Sequence, residues 1–519
     1  MSASTPAIEA RPGEPALKVK HKALLTLAVM GASMIQILDA TIANVALPHM
    51  QASLGATFDS VTWVLTSYII AGAVTMPAIG WLSDRVGSRR LFLWAVIGFV
   101  IASMLCGLAT SLPEMVAFRI FQGVCAAIIG PMSQTILLDI NPPERGPQAM
   151  ALWGMGIMIA PIFGPMIGGW LTESYNWRWV FYINLPIGIP TIVLLWWLLP
   201  SRPIVRRRLD MFGFGMLALG IATLQLMLDR GQHEDWLQSW EVRIELMIAV
   251  AALWMAAVHM FFSRTPLFDR ALISNRNFAV ALVFSIVVGL MMFGIFALLP
   301  PMLQNLYGYT VFDAGLLLAP RGVGIVLAMA FASRAANVID PRVLMGTGFS
   351  LVVVSMWMMT GWAIDMESGP ILIAGLVQGF GMGMTFFPMN AMAFATLSPA
   401  LRTDGSSLLY LFRSLGGSIG ISVTTTMLAR NIQTSHADLS GHVTSSSMSA
   451  IDPATADRWG PLGDTAMSLL DLEINRQAAM IAYLSDFKLV MILVMAFLPL
   501  LLLMKKPSVL PSQRFVAQE

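Results

Sequence analysis

The residues best placed to do chemistry are the few ionisable side chains stranded in long apolar runs. Asp39 is the first of them. Counted from Leu24 at about 1.5 Å per residue, it lies roughly 22 Å into an apolar stretch. An ionised carboxylate at that depth costs on the order of 2.5–3.5 kcal/mol, so it must face a cavity, find a partner or take a proton. Arg119 stands in another apolar stretch, roughly 9 Å from the opposite boundary, at a depth comparable with that of Asp39. A guanidinium cannot shed its charge, so it can hold Asp39 ionised until a ligand or a conformational change loosens the pair. That is the chemistry of a proton-coupled carrier. The plainer alternatives are a hydrated rim carboxylate for Asp39 and an arginine anchored on backbone carbonyls for Arg119.

Two further arginines, Arg321 and Arg413, lie roughly 13 Å into their own apolar stretches, and no acidic residue stands mid-stretch in the second half of the chain. This excess of positive charge disfavours a cavity specialised for cations and fits neutral or weakly acidic amphiphiles better, unless backbone carbonyls cap both arginines. Gln36, Asn44, Gln122, Gln378 and Asn390 join Arg413 as candidates for contact with cargo. The 38 methionines, 27 phenylalanines and 15 tryptophans supply adaptable apolar lining. Enzymatic chemistry finds no support. Gly416-Gly417-Ser418-Ile419-Gly420 has nucleophile-elbow spacing but lies inside an apolar run without a strand-to-turn context. No lysine completes a phosphate-binding loop, and His233-Glu234-Asp235 lacks a second histidine at metal-ligand spacing. No metal or organic cofactor is expected, only protons as a coupling ion.

The elements that position these residues follow from composition. Of 519 residues 57% are hydrophobic and 12% charged, too few charges to coat several soluble domains, and a net charge of +2 gives no field for nucleic acid. Cys106 and Cys125 both sit in apolar runs and form no disulfide framework. With about 20 residues per bilayer crossing, the apolar runs predict fourteen spanning helices: 23–46, 61–82, 91–109, 113–137, 148–172, 178–199, 211–230, 243–263, 278–304, 312–335, 342–362, 370–395, 404–430 and 487–504. The first run is too long for a signal-peptide core and lacks a cleavage site, so it is expected to be retained. Segments on one side carry 21 Lys and Arg residues, while the short opposite loops offer only Arg178, Arg230 and Arg243. Basic residues stay inside, which predicts cytoplasmic tails at 1–22 and 505–519 and an external, mostly flexible loop at 431–486. An echo supports duplication: Gln122-Gly123, Pro131-Met132, Pro142 and Arg145 are matched by Gln378-Gly379, Pro388-Met389, Pro399 and Arg402. The expected layout is all-α, with six-helix halves at 23–199 and 278–504, a basic linker at 200–210 and an inserted helix pair at 211–263.

The loop Gly80-Trp81-Leu82-Ser83-Asp84-Arg85-Val86-Gly87-Ser88-Arg89-Arg90 has a small residue for close approach, a capping carboxylate, a turn glycine and anchoring arginines. Position by position it resembles the signature loop of the major facilitator superfamily. Leu38-Asp39-Ala40-Thr41-Ile42-Ala43-Asn44-Val45-Ala46-Leu47-Pro48 is similar to the first-helix motif of its fourteen-helix drug:proton antiporters, the EmrB/QacA type. Arg119 with Gln122-Gly123 resembles the fourth-helix motif, Gly164-Pro165-Met166-Ile167-Gly168-Gly169 the exporter motif of the fifth, and Trp177-Arg178-Trp179 the opening of the sixth. The echo of the signature loop near Arg334–Arg342 is degenerate. The resemblance implies a major facilitator fold of two pseudo-symmetric halves and proton-driven efflux of hydrophobic or amphiphilic drugs. In it Asp39 and Arg119 couple protons, and Gly80, Asp84, Arg85, Gly87, Arg89 and Arg90 form a gate. It further implies a bacterial inner membrane, an EmrA-like periplasmic adaptor and a TolC-like outer-membrane channel. Two alternatives stay open: a proton-coupled importer on the same fold, and the membrane subunit of an ATP-driven machine.

Overall fold

The computed structural model describes residues 15–142, 145–202, 204, 207–231, 234–336, 338–395, 397–442 and 463–504, and among them no strand occurs. Fourteen long helical segments carry the fold. They are α1 (Lys22–Ser53), α2 (Trp63–Val86), α3 (Ser88–Leu108), α4 (Leu112–Ile140), α5 (Gly146–Ser174), α6 (Trp179–Leu198), α7 (Met211–Arg230), α8 (Trp240–Phe262), α9 (Arg276–Asn305), α10 (Val311–Ala335), α11 (Pro341–Met359), α12 (Gly369–Ala395), α13 (Arg402–Gly441) and α14 (Gly463–Phe497). Among the described residues, twelve of them, all but α5 and α13, are long and apolar enough to cross a membrane by length and composition. Local chemistry sets their starts. The side chains of Asp210, Asn275, Thr310 and Asp340 accept hydrogen bonds from the first-turn backbone of α7, α9, α10 and α11. Gly87, at φ 95°, makes the turn from α2 into α3 that a side chain would strain.

The expected loop at 431–486 is corrected for most of its length. α13 runs unbroken to Gly441 and α14 begins at Gly463, so only 443–462 lies outside the described residues. Forty residues make a helix of about 60 Å, longer than the bilayer. Hydropathy marks where a helix leaves the apolar layer, not where its backbone hydrogen bonding ends. From Ala429 to Ser440 the chain has no proline or glycine to stop it. The two extensions pair: Asn431 donates to Asp486 (3.4 Å), and His436 meets Asp471 (3.1 Å).

The helix pairings repeat between halves. α1 packs on α5, α2 on α4, α3 on α4 and α3 on α6; α9 likewise packs on α13, α10 on α12, α11 on α12 and α11 on α14. The echoed glycines mark one such crossing twice. A side chain at Gly123 would meet the Tyr68 carbonyl on α2, and one at Gly379 the Arg321 carbonyl on α10. α5 joins the halves by packing on both α1 and α10. α7 lies between α2 and α13. At its outer end Asp229 bonds Thr66, and Ser422 donates to the Leu228 carbonyl (2.8 Å). α8 packs on α7 and leaves Met247, Val250, Trp254, Phe261 and Phe262 exposed, an apolar flank suited to lipid.

Candidate functional site

Asp39 on α1 and Arg119 on α4 meet at 2.7 Å, and both side chains are fully buried. The same Nη1 of Arg119 donates to Gln122 Oε1 (2.8 Å), and its Nε donates to the Val64 carbonyl of α2 (3.0 Å). Its guanidinium lies over the Tyr68 ring, 4.2 Å from the centroid. The other carboxylate oxygen of Asp39 accepts from Gln122 Nε2 (2.9 Å) and Asn184 Nδ2 (3.1 Å). Asn184 in turn donates to Ser103 Oγ (2.9 Å), which donates to the Phe181 carbonyl (2.9 Å). Five helices thus converge on one carboxylate in a dry interior, where a charge pair is tolerable only because each oxygen has donors.

This assembly sorts the sequence candidates. Gln122 is buried and bonds both members of the Asp39–Arg119 pair. Ser103, Tyr68 and the amide role of Asn184 were not singled out in the sequence. Neutral polar residues are common in spans and carry no signal without their neighbours. Asn44 is exposed and donates to Ala40 O at 3.4 Å, while Gln36 keeps a buried, unpartnered Oε1 one turn from Asp39. In the second half Gln378 faces Met356 Sδ (4.0 Å), and Asn390 donates to the Phe386 carbonyl (2.8 Å). Among the described residues, Arg321 and Arg413 form no ion pair and no backbone-carbonyl cap at their buried nitrogens: Nε, Nη1 and Nη2 of Arg321, and Nε and Nη2 of Arg413.

The residues of the Gly80–Arg90 loop lie at the end of the bundle rich in basic residues, where the halves touch. A side chain at Gly80 would sit 1.5 Å from Asp404 Oδ1, so only glycine admits the first turn of α13 there. Arg207, in the basic linker, holds both halves. It contacts Asp84 of α2 at 3.1 Å and grips Asp404 of α13 through two nitrogens at 2.8 and 2.9 Å. Burial works against the Arg207 charge, but the two carboxylates outweigh it and keep the guanidinium above its usual range. Beside it, the nearly buried Asp139 at the end of α4 bonds Arg202 of the linker and Arg402 of α13 (3.2 Å). The linker arginines are therefore clasps as well as topology signals. The half-exposed Arg207–Asp84 contact is worth at most about 1 kcal/mol, whereas stripping the cations from buried Asp139 would cost about 3–5 kcal/mol. Arg85 lies over Trp81, 5.3 Å from the ring, and Arg89 donates to the Trp196 carbonyl (2.6 Å). Arg90 is exposed in the first turn of α3.

The exporter-type run on α5 packs two ways. A side chain at Gly164 would lie 2.3 Å from Thr41 Oγ1 and one at Gly168 3.4 Å from Ile42, both on α1, while one at Gly169 would meet Val311 of α10 at 3.0 Å. Pro165 sits within a continuous helix. These small residues let α5 lie against α1 within one turn of Asp39.

A family model described as Major Facilitator Superfamily matches residues 29–421. The chain belongs to that superfamily. It is 38% identical over 423 residues to the multidrug export protein EmrB of Escherichia coli strain K12, covering 81% of this chain and 83% of that one. The fatty acid resistance protein FarB of Neisseria gonorrhoeae is 34% identical over 496 residues, covering 95% and 98%. Among solved structures, that of the human organic anion transporter MFSD10 superposes with a TM-score of 0.58 at 15% identity, over 91% of this chain and 99% of that one. At that identity the likeness speaks for the fold alone. The family read from the Gly80–Arg90 loop is the one these matches show, and the chain is a multi-pass membrane transporter by membership.

Proposed function

We propose that the protein is a drug:proton antiporter that moves hydrophobic and amphiphilic toxic compounds out of the cytoplasm or inner leaflet, using proton entry as the driving force. The observation that carries this reading is the sealed Asp39–Arg119 pair. Its carboxylate has no access to water while paired, so a proton can reach it only when the bundle opens. Protonation then cancels the charge that Arg119 requires and turns an acceptor into a donor facing Asn184 and Gln122. The buried arginine left without its counter-charge makes the old packing unfavourable by several kcal/mol, enough to bias an alternating-access equilibrium. The names of EmrB and FarB, for multidrug export and fatty acid resistance, support an exporter over an importer.

The clasp of Arg207, Arg202 and Arg402 would hold the cytoplasmic end shut while the coupling carboxylate is ionised. The basic-residue asymmetry supports cytoplasmic termini and an inner-membrane location in a bacterium. The paired outer extensions of α13 and α14, projecting away from the basic end, are the part best placed to meet an EmrA-like adaptor, which would lead cargo to a TolC-like channel. The test is efflux in sealed vesicles under a proton gradient with ATP absent. Gradient-driven efflux supports the antiporter, whereas a strict ATP requirement favours the ATP-driven alternative.

A further inference from the structure

The second half holds two cations that nothing in the described protein neutralises. Arg321 is 2% exposed and Arg413 8%, and five of their guanidinium nitrogens have no hydrogen-bond partner. Arg321 faces the Phe296 ring at 5.2 Å, and Arg413 faces Phe386 at 4.5 Å and Tyr410 at 5.3 Å. A desolvated aromatic face returns about 2 kcal/mol, short of the several kcal/mol that burying an unpaired charge costs. The contrast with the first half sharpens the point. At the α2–α4 crossing marked by Gly123, Arg119 has Asp39; at the equivalent α10–α12 crossing marked by Gly379, Arg321 stands against the glycine and no carboxylate comes with it.

The two arginines also share a depth, and each adjoins a residue that walls one cavity. Arg321 lies about 21 Å from the inner end of α10 and Arg413 about 16 Å from the inner start of α13, so both are near the midplane. Close to both is a narrow cavity of about 20 Å³, lined by neither arginine, whose walls include Met291, Met292, Ile325, Met329, Met382 and Phe386. Phe386 is the ring under Arg413. Ile325 is one turn from Arg321, and Met292 is one turn from the Phe296 that Arg321 covers. Tyr410, beneath Arg413, packs against Trp153 of α5 at 6.4 Å, which places this site where the halves meet. Methionine side chains can part for a flexible chain, and cargo sites of such duplicated carriers lie at the midplane between halves.

We infer that Arg321 and Arg413 form the anion-binding end of the cargo site, which accepts an amphiphilic organic monoanion: its carboxylate or equivalent between the two guanidiniums and its apolar body in the methionine-walled cavity. The protein then carries the counter-charge of its cargo and leaves Asp39 free to handle protons. This assignment rests on the exporter reading above.

The test uses the full-length protein in phosphatidylcholine nanodiscs with no gradient, and compares radiolabelled decanoate with the neutral isostere decanamide. Decanoate should bind saturably and at least about tenfold more tightly than decanamide, the equivalent of one charge-assisted hydrogen bond. Arg321→Gln and Arg413→Gln should each weaken decanoate about tenfold and leave decanamide unchanged. Equal binding of the two ligands by the parent, or equal weakening of both in the variants, overturns the proposal. A folding control separates cargo arginines from structural ones. Removing an unpartnered buried cation in Arg321→Met or Arg413→Met should raise the thermal midpoint of the empty protein, and a fall in both would overturn the unpartnered-cation argument. If anion preference fails while a proton gradient still drives efflux of a neutral drug, this inference falls and the exporter reading stands.

Discussion

Asp39→Asn tests the coupling site most sharply, because the structure specifies what the amide breaks. In the native arrangement one carboxylate oxygen accepts from Arg119 and the other from both Gln122 and Asn184. Asparagine has one acceptor oxygen and one NH2 group. If its oxygen faces Arg119, the NH2 meets two amide donors; if reversed, the NH2 meets the guanidinium. Either way a buried donor faces a donor, and Arg119 becomes a buried cation with no anion, a change that costs about 3–5 kcal/mol. The Val64 carbonyl and the Tyr68 face still hold Arg119 in place, so the variant should insert and fold with a lower thermal midpoint. Converting Arg119 as well, in Asp39→Asn with Arg119→Met, should recover most of that loss but none of the transport. The assays are thermal unfolding of purified protein and drug-induced proton release in proteoliposomes. A single variant that is as stable as the parent and releases protons normally would refute the reasoning.

Arg119→Lys should reduce transport at equal expression, since one ammonium cannot serve Asp39, Gln122 and the Val64 carbonyl together; losing a charge-assisted bond there is worth about 1.5–3 kcal/mol, and undiminished efflux would make Arg119 a simple anchor. Gly80→Val should force α2 and α13 apart at the clasp and raise thiol labelling of a cysteine placed at Ser406 from the basic side, whereas Arg207→Ala should do so more weakly because its contacts are half-exposed; unchanged labelling in Gly80→Val would remove the gate. Single cysteines across 211–263 should show no protection by drug, since α8 lies outside α7 and away from Asp39; protection at several positions would put the pair on the pathway. Gly164→Val, whose side chain would press on Thr41, should lower transport more than Gly215→Val, where nothing stands within 4 Å; equal effects would deny α5 a packing role beside Asp39.

What the sequence made legible was governed by the cost of charge in an apolar setting. Asp39 and Arg119 stand out because an ionisable residue in a long apolar run demands a partner, and each was the other's plainest one. Arg321 and Arg413 stood out by the same reasoning, as cations with no acid nearby. Ser103 and Tyr68 did not, because a hydroxyl in a span is affordable alone and only the crossing of α1 with α2, α3, α4 and α6 reveals what it serves. The clasp was hidden for a different reason. Arg202, Arg207 and Arg402 read as inside-loop charge, and their pairing with Asp84, Asp139 and Asp404 depends on how the halves meet, which no local pattern records. Helix positions were visible in hydropathy to within a few residues, while the outer extensions of α13 and α14 were not, since their stability comes from pairing with each other in water.

The most direct measurement imposes a pH gradient on everted vesicles, or proteoliposomes of matching orientation, without ATP and follows a fluorescent hydrophobic drug. The lumen then stands for the outside. With the lumen acid, the protein should drive drug inward against its gradient while protons leave, and nigericin should collapse the accumulation. The Asp39→Asn variant should bind the drug yet accumulate none. Accumulation that ignores the pH gradient, or a variant that accumulates drug as well as the parent, would contradict the claim that Asp39 couples proton entry to export.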